Sequence, residues 1–161
     1  MQSFEPLNKR RQESWTLIVS VMLAGFLIGG VTFYASMVVP AATSIWGATD
    51  QGFVTRLVTW RFNVIATPCW MLMLFWSRRY ADRVLKGILI SLLVVQVGLW
   101  LAHYSLEILL DPEQGAVLQE GTFYRRHQLY LWLTTAQILM GWALIWKFCR
   151  LLSATETKLE A

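Results

Sequence analysis

Residues 87–110 read GILISLLVVQVGLWLAHYSLEILL, a run with one acid, Glu107, and no lysine or arginine. As a helix rising about 1.5 Å per residue, the run covers about 36 Å, more than the roughly 30 Å of a bilayer's hydrocarbon core. It reads as a membrane span, and that reading decides the fold class. Its polar residues Gln96, Trp100, His103 and Glu107 recur at helical spacing and share one face. An ionisable group near mid-membrane costs about 2.5–3.5 kcal/mol on insertion scales, so such a residue needs a partner or a water-filled cavity.

Three further runs flank this one. Trp15 to Val39 is long enough to span and is closed by Pro40; a second runs over about residues 58–76, and the last over 127–152. The second is short unless its helix begins within TDQGFVTRLVTW, with Thr49 or Asp50 as N-cap. The whole chain agrees: 56% of its residues are hydrophobic, 15% are charged, and the mean hydropathy is +0.46. The expected fold is all-α, an integral-membrane antiparallel up-down four-helix bundle filling residues 15–152, with polar tails at 1–14 and 153–161. The first run is too long for a signal-peptide core and reads as an uncleaved span.

Lysine and arginine set the expected orientation. Ten of the fourteen fall in the two tails, at the end of the last run and in the 78–86 loop, against Arg56, Arg61, Arg125 and Arg126 on the other side. The bias places both termini in the cytoplasm of a bacterial inner membrane, with loops 41–59 and 111–126 facing outward. A basic chain with nine tryptophans could suggest nucleic acid, but here the basic residues alternate with spans and no nucleic-acid partner is expected. Cys69 and Cys149 sit in different runs with no CxxC or Cys/His signature, and read as free thiols. Nuclease, kinase and hydrolase chemistry has no motif: there is no P-loop, nucleophile elbow or HExxH.

The polar minority carries the functional reading. The first span presents Gly25, Gly29, Thr32 and Ser36 on one face, a small-residue stripe suited to close helix packing. The second carries Arg61 and Asn63, then Pro68, which leaves the Val64 carbonyl without its donor and is expected to kink the helix. The fourth carries His127, Tyr130, Thr134, Gln137 and Gly141 at helical spacing. These faces are expected to converge on the bundle interior, with Tyr34, Ser36, Arg61, Asn63, His103, Glu107 and His127 in its outer half, Glu107 paired to Arg61 and His103 beneath them.

Three readings of that cluster are open. It can be a hydrogen-bonded plug that holds the helices together. It can hold a metal ion through His103, Glu107 and His127, or a haem between the two histidines. Or it can floor a pocket walled by Trp46, Trp60, Trp100, Tyr104, Phe123, Tyr124, Tyr130 and Trp132, with His103 as acid or base and Glu107 setting its protonation. Several of those aromatics fit an interfacial belt equally well.

The stretch GGVTFYASMVVPAATSIWGATDQGFVTRLVTWRFNVIATP, with Gly29, Phe33, Val39, Pro40 and Asn63, resembles small four-span bacterial membrane proteins of the anthrone-oxygenase-like type. FYRRHQLYLWLTTAQ, with Phe123, Arg126 and His127, resembles the opening of the last span in those and related families. The resemblance covers about half the chain. It implies a four-helix bundle with a polar site at Asn63 and His127, and oxidation of aromatic, polyketide-like substrates.

The sequence therefore leads to an accessory or structural protein of the inner membrane, packed against subunits of a larger complex. The alternative is a membrane enzyme or binding protein for a lipophilic aromatic or quinone-like molecule. Its candidate residues are His103 and Glu107 for catalysis, with Arg61, Asn63, Trp100, His127, Tyr130 and Gln137 around them. No cofactor motif is present, and enzymatic activity is left open.

Overall fold

The computed structural model describes residues 7–80, 82–111 and 116–160. Helix α1 runs Leu7–Phe33, followed by a π-helical turn at Tyr34–Val38, α2 at Val39–Ser77, α3 at Arg83–Glu107 and α4 at Glu120–Glu160. A two-residue hairpin closes the α3–α4 connection, with β1 (Leu110–Asp111) antiparallel to β2 (Ala116–Val117) and Leu110 opposite Val117. Four helical segments are long and apolar enough to cross a membrane: Gln12–Gly47, Asp50–Ser77, Arg83–Glu107 and Glu120–Thr155.

Helix boundaries differ from the sequence reading in physically readable ways. Pro40 does not close the first helix. The π turn shifts the hydrogen-bond ladder so that the Val39 N–H reaches the Tyr34 carbonyl, and Pro40 then occupies the first turn of α2, where its missing donor costs nothing. The break comes at Gly47, whose φ of 82° is open to glycine and strained for other residues. The second span accordingly starts at Asp50, eight residues before the expected 58. Pro68 lies inside α2 and keeps helical dihedrals, so the helix continues through it without breaking. Residues 7–14 and 153–160, expected as loose tails, are helical; residues 1–6 and 161 lie outside the described residues.

Contacts at the two ends fix the antiparallel order. At the end bearing the termini, the Tyr80 hydroxyl donates to the Glu13 carbonyl (3.0 Å). Beside it Lys147 pairs with Asp82 at 2.7 Å, and Asp82 also caps α3 by accepting from the Leu85 N–H (2.9 Å). The Lys147 ammonium and that N–H together hold the Asp82 carboxyl below the usual carboxylate range. Burial, with the Glu13 charge adding to it, pushes the Tyr80 phenol up to about 12.

The bundle is packed unevenly. α4 lies between α1 and α3, α2 packs on α3, and the neighbours α1 and α2 pack only sparsely against each other. Near the termini, Leu17, Leu27, Ile28, Trp70, Leu89 and Leu144 form a dry core. At Gly141 the Ile28 side chain packs so closely that a Cβ there would overlap it. The Gly25 and Gly29 stripe expected to serve that purpose has nothing within 4 Å of either Cβ position, and Gly29 and Ser36 are exposed. In the other half the core gives way to polar side chains and open volume.

Candidate functional site

Three amides cross the middle of the bundle. Gln137 Nε2 on α4 donates to Gln96 Oε1 on α3 (2.7 Å), and Gln96 Nε2 donates to Asn63 Oδ1 on α2 (2.9 Å). All three side chains are buried to about 1% exposure, and each turns inward because the other faces of its helix are apolar. The direction of the ladder leaves Asn63 Nδ2 without a partner, close to the Tyr130 hydroxyl. Below the ladder, Trp100 Nε1 donates to Thr67 Oγ1 (3.0 Å), and Thr67 returns its own proton to the Asn63 carbonyl.

Above the ladder lies a cavity of about 860 Å³, bordered by α1, the π turn, α2 and α4, with His103 and Leu106 supplied by α3. It occupies the gap left where α1 and α2 separate. Its wall is mostly apolar, with Phe53, Phe62 and Phe123 among its rings, and six polar residues of the expected cluster line it: Arg61, Asn63, His103, His127, Tyr130 and Gln137. His103 is 5% exposed, its Nε2 has no partner, and its ring lies 6.4 Å from that of Tyr130. The far end of the wall is tied by Gln51 Nε2 donating to Thr55 Oγ1 (2.6 Å) and by the Tyr34 hydroxyl donating to the same oxygen (3.2 Å).

The remaining expectations are redrawn. Glu107 pairs with Arg56 at 3.7 Å, not with Arg61, and lines a separate space of about 260 Å³ with Arg56, Leu57, Trp60 and His103. Arg56 and Arg61 are five residues apart, about 140° around a helix, so one carboxylate cannot serve both. Trp100 faces Thr67 and does not border the large cavity. The histidine and carboxylate residues do not gather for a metal: among the described residues no three His, Cys, Asp or Glu side chains form such a group. Glu107 is turned to Arg56, and the His127 ring stacks on Phe123 of its own helix (centroids 5.8 Å apart, planes 7° apart). Among the expected aromatic walls, Phe123, Tyr124 and Tyr130 do line the cavity, Trp60 borders the smaller space, and Trp46, Tyr104 and Trp132 are exposed, as belt residues are.

Sequence reasoning missed the contributions of Gln51, Thr55, Arg56 and Thr59, because it placed them in a loop. Gln96 carried a usable signal, an amide in the middle of an apolar span. No family model, curated protein or solved structure matches the chain.

Proposed function

We infer that this is a multi-pass membrane protein, both termini cytoplasmic, that binds a lipophilic ring-bearing molecule, aromatic or quinone-like, in the cavity between its first, second and fourth spans. The observation that carries the reading is the cavity itself. Its volume falls in the 300–1,000 Å³ range of small-molecule sites, and its apolar wall meets a few polar groups at one end. An apolar groove of this size, flanked by a dry core on one side and polar groups on the other, is suited to an apolar molecule with a polar end. A plug, the first reading of the polar residues, describes the amide ladder but gives no reason for open volume beside it.

The polar groups suit orientation of a ligand. Asn63, His103 and Tyr130 are held by helices and stand along one wall, where they would select a ring bearing oxygen. The cytoplasmic placement of the termini rests on the ten-to-four distribution of lysine and arginine. The test is purification in mild detergent, followed by solvent extraction, mass spectrometry and an absorption spectrum of the same sample. The reading expects a ring-bearing lipophile in stoichiometric amount; a sample carrying bulk phospholipid alone, unable to take up any ring-bearing probe, contradicts it.

A further inference from the structure

We propose that the molecule bound in the cavity is a lipophilic acid, and that Arg61 supplies the cation that binds its anionic oxygen. The inference rests on the ligand-binding reading above and adds the charge of the ligand to it.

Arg61 is the observation that needs explaining. It lies on the second span, Asp50–Ser77, about 4 Å along the helix axis from the span's centre. An arginine at such depth is costly and normally has a partner. Among the described residues Arg61 has no ion pair and no hydrogen-bond partner. The carboxylate nearest in sequence expectation, Glu107, belongs to Arg56, and Arg126 is spent on the Ser105 carbonyl at 2.8 Å. Arg61 is exposed and borders the cavity, as do Arg56, His103 and His127. No aspartate or glutamate borders it among the described residues.

A mostly apolar cavity with one unpaired guanidinium on its wall, and no acid among its described lining residues, is complementary to an anion on an apolar body. The guanidinium offers a planar fork of donors matched to a carboxylate. With no carboxylate answering Arg61 among the described residues, the anion is assigned to the ligand, and the apolar wall beside Arg61 gives the body it is attached to.

The probes are 11-(dansylamino)undecanoic acid, which joins an aromatic ring, an alkyl chain and a carboxylate, and its methyl ester. Binding of each to the purified protein in neutral-detergent micelles is followed by dansyl fluorescence. The acid is expected to bind at least tenfold more tightly than the ester. Arg61→Gln should remove that preference, read as the ratio of the two affinities, and Arg61→Lys should retain part of it; a helical circular-dichroism spectrum matching the native protein's shows each variant folded. Equal affinities of acid and ester for the native protein would overturn the acid assignment and leave the ligand reading standing. A preference for the acid that persists in Arg61→Gln would overturn the role of Arg61. If neither probe's binding is reduced by Gly30→Trp, which fills the cavity from a position with open space beyond its Cβ, the cavity is not the site and both readings fall.

Discussion

Replacing Gln96 by leucine removes the central member of the amide ladder at nearly constant volume. Two interhelical hydrogen bonds are lost, at 2.7 and 2.9 Å, worth on average about 0.6 kcal/mol each between membrane helices. The larger cost is what remains: Gln137 Nε2 and Asn63 Oδ1 are left unpaired at about 1% exposure, at about 1–3 kcal/mol each when fully dry. Both residues border the cavity, so water relieves part of that cost, and the expected loss is about 2–3 kcal/mol. Reversible unfolding in mixed micelles measures it. The triple variant Asn63→Leu, Gln96→Leu, Gln137→Leu removes the orphaned groups with the bonds and should be more stable than Gln96→Leu alone. A cost below about 0.5 kcal/mol for the single change, or a triple variant that loses the sum of three single changes, would refute the reasoning.

Other outcomes follow from the packing and the charges. Gly141→Leu should destabilise by about 1–3 kcal/mol, since any side chain there meets Ile28, and Ile28→Ala in the same chain should recover part of it in thermal unfolding. Glu107→Gln should cost under about 1 kcal/mol in the same unfolding assay, because both members of its pair with Arg56 are substantially solvent-exposed. The Asp82 carboxyl has a depressed pKa, so its stabilising contribution is present above the unfolded value of about 3.9 and is lost as pH falls through the lower folded value; Asp82→Asn should flatten the acid limb of the stability–pH curve. Tyr80 is shifted the other way: its contribution is full below the unfolded value of about 10 and is lost as pH rises towards about 12. Tyr80→Phe should remove that alkaline loss.

The four long apolar helices were legible because apolar runs of this length admit few other structures. Their ends were less so. Pro40 signals a stop in most helices, and only the π turn before it, which local composition does not announce, lets the helix pass. The polar cluster was legible as a set, because Asn63, His103, His127, Tyr130 and Gln137 are the residues an apolar helix would keep away from lipid. Pairings inside the set were not. Glu107 had two arginines within reach of a one-dimensional reading, and the choice between them depends on where α2 begins and which way each residue faces. The Gly25–Gly29 motif and Gly141 were equally plausible contact points in the sequence; which of them meets a neighbour depends on helix rotation, set by Leu17, Leu27 and Ile28 entering the core. An outer pocket was legible as one reading of the polar and aromatic residues, but its position between α1 and α2 was not, since it depends on how sparsely those two helices pack.

The central claim, that the cavity between α1, α2 and α4 holds a lipophilic ligand, is tested most directly by native mass spectrometry of the protein released from lipid nanodiscs prepared from its own membranes. The account predicts one adduct of a ring-bearing lipophile per chain, present in the native protein and absent from Gly30→Trp, which is otherwise folded. An adduct retained in Gly30→Trp, or a native protein released without one and unable to take up any lipophilic ring-bearing probe, would contradict it.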